Sequence, residues 1–136
     1  MAYGPDTAKL LSRISAIDDG ILGVSWLNIT SLPELPETLT ELYCENTQIS
    51  VLPKLPDTLT HLWCWNTQLS VLPKLPETLI MLDCSKTPLK LLRSDDESIA
   101  DYSKRWDDWR AEQAFIKRCK EKCRAIKDEL ADVPDY

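Results

Sequence analysis

Five cysteines and a single histidine are the side chains here best suited to chemistry. Cys44, Cys64 and Cys84 recur at intervals of twenty residues. A metal centre or redox set would use such thiols, yet each follows a leucine by two positions (Leu42, Leu62, Leu82), and Leu-x-Cys alternation sets both side chains on one face of an extended strand. They therefore read as small apolar core residues. Cys119 and Cys123 stand four apart, so on a helix they share a face. Two thiols do not close a zinc site, which needs four ligands, and no histidine is near them; helix packing is the preferred reading, with an intermolecular disulfide the main alternative. His61 would have to serve alone as a general base, with no nucleophile beside it. No catalytic residue, metal site or cofactor is assigned, and the chain is expected not to be an enzyme.

The elements that hold these residues follow from one repeat of twenty. Leu39, Leu42, Cys44, Thr47, Ile49, Leu52, Pro53, Leu55 and Pro56 return as Leu59, Leu62, Cys64, Thr67, Leu69, Leu72, Pro73, Leu75 and Pro76. A third copy runs through Leu79, Leu82, Cys84, Thr87 and Leu89, and a degenerate earlier one through Leu22, Val24, Leu27, Ile29, Leu32, Pro33, Leu35 and Pro36. Leu-x-Cys supplies a short inward-facing strand. Leu-Pro-x-Leu-Pro fixes φ twice and removes two donors, which excludes helix and central strand and leaves an extended return path. Thr38, Thr58 and Thr78 precede the strands; Thr47, Thr67 and Thr87 follow them and are expected to form a hydroxyl ladder to the next coil.

Coils of this kind share their interior only with neighbours, so the two ends of the array need caps. Pro5, Asp6 and Thr7 predict the start of a helix bearing Leu10, Leu11, Ile14 and Ile17, stopped by Asp18, Asp19 and Gly20. After the repeats, Ser94-Asp-Asp-Glu97 reads as a capping box, and no glycine or proline follows until Pro134. A long helix is predicted from Asp95 to Asp132, on the order of 55 Å if unbroken. Its stripe of Tyr102, Trp106, Trp109, Ile116, Cys123, Ile126 and Leu130 exceeds what one cap requires and needs a partner surface.

This pattern resembles the leucine-rich-repeat family, in its short twenty-residue class written LPxLPxxLxxLxC, as found in secreted bacterial effectors and in repeat proteins of large DNA viruses. The family usually carries asparagine at the ladder position held here by Thr47, Thr67 and Thr87, with Asn46 and Asn66 one place early. The resemblance implies an α/β solenoid: a right-handed coil with parallel strands, a cap over residues 1–19, repeats over 20–92 in about 3.5 turns, and a long helix over 93–136. It also implies protein binding. Effectors with such repeats often add a cysteine-dependent ubiquitin ligase domain, for which residues 93–136 are too few.

Net charge −6 would repel a phosphate backbone, so nucleic acid is not an expected partner. The local cluster Lys117, Arg118, Lys120, Lys122, Arg124 and Lys127 reads either as a solvated helix face or as a dock for an acidic surface. No apolar run is long enough for a membrane span, and residues 1–20 lack the apolar core of a signal peptide. A reducing cytoplasmic setting, or the inside of a virion, is expected. On the strands, alternation turns Glu41, Tyr43, Glu45, His61, Trp63, Trp65, Met81, Asp83 and Ser85 outward. Tyr43, Glu45, His61, Trp63, Trp65, Met81 and Asp83, with Trp106 and Trp109 from the helix, are the candidate partner-binding residues. Alternatively, Trp106 and Trp109 fold back and cover the strand patch. The leading expectation is a structural adaptor contacting several neighbours in an assembly such as a virus particle; the competing one is a soluble effector bound to a single target protein.

Overall fold

The computed structural model describes residues 3–131. In chain order it contains helix α1 (Thr7–Ser15), strands β1 (Ile21–Gly23), β2 (Glu41–Tyr43), β3 (His61–Trp63) and β4 (Met81–Asp83), and helix α2 (Ile99–Ala131). The four strands form one parallel sheet in sequential order. Leu22 pairs with Leu42, Leu42 with Leu62, and Leu62 with Leu82, so each coil advances by twenty residues without slippage. No helix lies between β1 and β4; the Pro-rich return path is extended and closes each coil with a turn. In those turns the amides of Leu39, Leu59 and Leu79 donate to the carbonyls of Pro36, Pro56 and Pro76 at 3.1–3.2 Å. The architecture is the α/β solenoid expected from the repeat.

Every turn of the coil is stitched to the next by backbone. Cys44 N–H donates to Trp63 O at 2.8 Å and Cys64 N–H to Asp83 O at 2.9 Å, while on the other side Gln68 N–H donates to Ile49 O at 2.9 Å. These bonds satisfy amides that three-residue strands alone would leave buried and unpaired. The threonine hydroxyls divide the work differently from the expected ladder. Thr47, Thr67 and Thr87 bond Cys44 O, Cys64 O and Cys84 O within their own coil, because a hydroxyl at that spacing reaches back three residues more readily than across to a neighbouring turn. The hydroxyl links between coils come from the preceding set and from Thr40 and Thr60, which donate to Gly20 O and Thr40 O. Thr58 Oγ1 lies 2.7 Å from both Glu37 O and Leu39 O of the previous coil, and Thr78 repeats this at Asp57 O and Leu59 O. The asparagines add a side-chain rung, Asn66 Nδ2 donating to Asn46 Oδ1 at 2.8 Å.

The interior is one column of leucines, isoleucines and thiols, in which Leu42, Cys44, Leu62 and Cys64 are wholly buried. Both ends are closed. Helix α1 lays Leu10, wholly buried, on the first coil and is tied down where Asn28 N–H donates to the Asp6 carboxylate at 2.7 Å and Arg13 to Gly23 O at 2.9 Å. Gly4, at φ +117°, makes this docking possible, since a Cβ there would lie 2.9 Å from both Asn28 O and Ile29 Cα. The helix ends at Ser15, sooner than Asp18, Asp19 and Gly20 suggested; of its expected apolar stripe Leu11 is exposed and Ile14 and Ile17 are half-buried.

At the other end α2 begins at Ile99, later than Asp95. Glu97 does reach back to the Ser94 amide at 3.2 Å, but the hydroxyl that caps the helix is that of Ser98, which accepts the Asp101 amide at 3.1 Å. The expected end at Asp132 and stop at Pro134 lie outside the described residues. From this start Tyr102 and Trp106 become wholly buried and Trp109 half-buried, edge to face in sequence with ring centres 6.1 and 5.5 Å apart. Tyr102 donates to Leu91 O at 2.7 Å, Lys90 lies 5.5 Å from the Trp109 ring, and Arg110 donates to Leu72 O at 2.7 Å. Trp106 is therefore corrected from partner-binding residue to core: the end coil needs cover for Leu79, Leu82 and Leu89, and this ring supplies it. These contacts run to the last coil and, at Leu72 O, to the return path of the one before it, and none of them is to Tyr43 or Trp63, so α2 does not fold back across the strand patch.

Two outcomes test this packing. Leu62→Ala should destabilise by about 2–5 kcal/mol and Trp106→Ala by about 3–5 kcal/mol in urea unfolding, the second through loss of the cap; a loss under 1 kcal/mol in either contradicts the shared core. Burial pushes the Cys44 and Cys64 thiols well up from their ordinary range. The folded state keeps them neutral where unfolded thiols ionise, so stability is fully present below about pH 8.5 and falls as pH rises beyond it. In native protein a disulfide reagent should label Cys119 and Cys123 within seconds to minutes, and Cys44 and Cys64 only at the rate of unfolding.

Candidate functional site

With core and caps assigned, the outward side chains of β2 and β3 are left without a packing role, and they organise one another. Tyr43 and Trp63 occupy paired positions on adjacent strands and stack with ring centres 6.2 Å apart and planes 9° from parallel. Parallel in-register strands force this closeness, and offset stacking of two rings is favourable by about 0.5–1.5 kcal/mol beyond burial. Tyr43 and Trp63 are half-buried as a result rather than fully exposed; Trp65 is half-buried too, while Met81 at the outer strand is exposed. The alternation placed these residues on the right face; it did not show that neighbouring rings would shield one another.

Polar groups pin the stack. Tyr43 OH donates to Glu41 Oε2 at 2.9 Å, and this bond, with partial desolvation, raises the phenol above its ordinary range. Glu41 Oε1 stands 3.6 Å from His61 Nδ1, an ion pair when the ring is protonated. His61 Nδ1 is also 2.8 Å from Thr60 Oγ1, whose own proton goes to Thr40 O at 3.0 Å. Nδ1 must therefore carry a hydrogen, which leaves Nε2 of the neutral ring as the acceptor. Asp83 accepts from the amide and hydroxyl of Ser85 at 3.1 and 2.7 Å.

One acceptor of this face, Glu45 Oε2, is shielded from solvent and makes no hydrogen bond, while the equally shielded Trp63 Nε1 has the Tyr43 hydroxyl as its neighbour. A shielded polar atom without a partner costs roughly 1–3 kcal/mol. Among the described residues no group of three His, Cys, Asp or Glu side chains is placed to hold a metal ion, and no helix is long and apolar enough to cross a membrane. His61 has hydroxyl and carboxylate neighbours that fix its ring. Cys84 is half-buried, its sulfur 4.0 Å from Tyr102 OH, with its thiol pushed up by burial.

One residue escaped the sequence reading. Trp26 is 78% exposed and sits at φ 66°, the left-handed turn position taken by Asn46, Asn66 and Lys86 in the later coils. The signal was the repeat itself, which aligns all four. Asparagine tolerates this conformation; a bulky side chain there stores on the order of 1–3 kcal/mol. Trp109 belongs mainly to the cap, Trp26 to the surface. Trp26→Asn should therefore raise the urea midpoint, by about 1 kcal/mol in stability, while removing the most accessible fluorophore, read as a fall in iodide quenching. A less stable variant would show that the indole packs on the coil.

No family model matches the chain, and no curated protein matches it. Among solved structures it is similar to YopM from Yersinia enterocolitica WA-314, with 31% identity across 49% of this chain and a TM-score of 0.47; the match takes in 15% of that longer chain.

Proposed function

We propose that this protein is a non-enzymatic protein-binding module whose partner lies across the strand face, centred on Tyr43, Trp63 and Trp65 and bordered by Glu45, His61, Met81 and Asp83. The observation that carries this reading is a rigid aromatic stack on the outward face, half-buried and still open to solvent. The core has no use for these rings, and a partner would bury the apolar surface they leave open. Tyrosine and tryptophan dominate interface energetics, and rings already held by stacking lose little freedom on binding. The backbone beneath them is fixed by the coil-to-coil bonds, so the surface is presented in one shape.

The resemblance to repeat proteins of large DNA viruses supports a finer reading, a structural adaptor or minor component of a large assembly such as a virus particle. A soluble effector bound to one target would use the same face. A partner recovered from purified particles favours the first, and a one-to-one complex of a freely soluble monomer the second.

Once a partner is isolated with the full chain, Trp63→Ala should weaken its binding by about 2 kcal/mol or more, roughly thirtyfold, with unchanged circular dichroism. Trp63→Phe, which keeps a ring in the stack and gives up part of its area, should lose less, about 1 kcal/mol. A partner that binds both variants as tightly as the native protein must dock elsewhere, and the strand-face reading would be abandoned.

A further inference from the structure

Helix α2 is two things joined end to end. Up to Arg110 it is cap; past Arg110 each described residue except half-buried Ile116 is exposed. That second part, residues 111–131, is about 30 Å of helix at 1.5 Å per residue. It is not polar all round: Phe115 is 59%, Ile126 47% and Leu130 65% exposed. Ile116, Cys119, Cys123, Ile126 and Leu130 follow at steps of three, four, three and four, the spacing of a coiled-coil seam rather than of a broad core-facing stripe.

The flanks of that seam are mainly basic. Phe115, Ile116, Cys119 and Cys123 line a shallow groove bordered by Lys120, Arg124 and Lys127. Lys122 stands on the seam's other side with Glu129, the one acidic flank residue, while Glu121 and Asp128 lie on the opposite face of the helix, as heptad spacing dictates. A second copy of this chain is a poor occupant. In a parallel pair Lys122 would face the other copy's Lys127, and in an antiparallel pair the rows of Lys120 and Lys127 would meet each other, against which Lys122 and Glu129 offer the smaller attraction.

We propose that residues 115–130 of α2 form a second docking surface, independent of the strand face, whose partner is an amphipathic helix with acidic flanks. The apolar seam provides the burial and the lysine and arginine rows set register and select charge. Cys119 and Cys123 act here as small seam residues.

The test uses the full chain under reducing conditions and two synthetic three-heptad helical peptides, both with leucine at the seam, one with glutamate flanks and one with lysine flanks. The glutamate peptide should bind in fluorescence anisotropy and weaken as salt is raised; the lysine peptide should bind at least about tenfold more weakly. Lys120→Glu with Lys127→Glu should invert that preference, and Ile126→Ser with Leu130→Ser should cost at least about tenfold for the glutamate peptide. All four positions are exposed, so thermal unfolding should not change. Trp63→Ala should leave peptide binding intact, which separates failure here from failure at the strand face. Equal affinity for both peptides, or none for either, overturns the proposal. So does self-association through this helix in sedimentation, or binding to phosphatidylserine vesicles in preference to the glutamate peptide.

Discussion

The constraint on which the rest depends is that no coil of twenty residues can be dry by itself. Each buries about half a dozen apolar side chains, and ordering twenty backbone units opposes that gain with a larger total. Only stacking closes the difference, and stacking demands that the coils keep register, because a slip of one residue would turn every inward leucine out. The Leu22, Leu42, Leu62 and Leu82 column is thus both the stability and the geometry of the protein. The hydroxyls of Thr58 and Thr78, each held between two carbonyls of the coil before, fix the spacing on the side where prolines have removed donors.

That same constraint creates the strand face. Inward positions are committed to the column, so outward ones on adjacent strands are brought to the strand spacing of roughly 5 Å whether or not they suit each other. Where they are Tyr43 and Trp63 they stack; where they are Glu41 and His61 they stand 3.6 Å apart, an ion pair when the ring is protonated. A surface built this way is stiff without being part of the core. The stack covers one face of each ring and leaves the rest half-open to solvent.

Period and alternation are carried by residue identity, so strands, return path, caps and outward face could be read from the letters. What could not be read depended on geometry that letters leave degenerate. Ser94 and Ser98 each precede an acidic residue by three, and the structure selects Ser98 because the helix must deliver Tyr102 and Trp106 to Cys84 and Leu91. Trp106, grouped with the surface aromatics by composition, is withdrawn for the same reason. Thr47, Thr67 and Thr87 have the same spacing whichever way their hydroxyls turn. Trp26 is invisible as a turn residue until its coil is aligned with the others, since tryptophan is the last residue type expected at positive φ.

The division of α2 follows from helix energetics as much as from burial. An isolated helix of residues 111–131 would be marginal in water, because the first turn is costly to form and the exposed sequence has little packing to repay it. Here the first turns are made and held by the cap, through Tyr102, Trp106 and the Arg110 bond to Leu72 O. Residues beyond them extend a helix already nucleated, each adding a hydrogen bond at the cost of its own ordering alone. The end coil's need for cover therefore does more than close the core. It presents a charged, seam-bearing rod in helical form before any partner arrives, and a partner meeting it is spared the ordering that a disordered segment would demand.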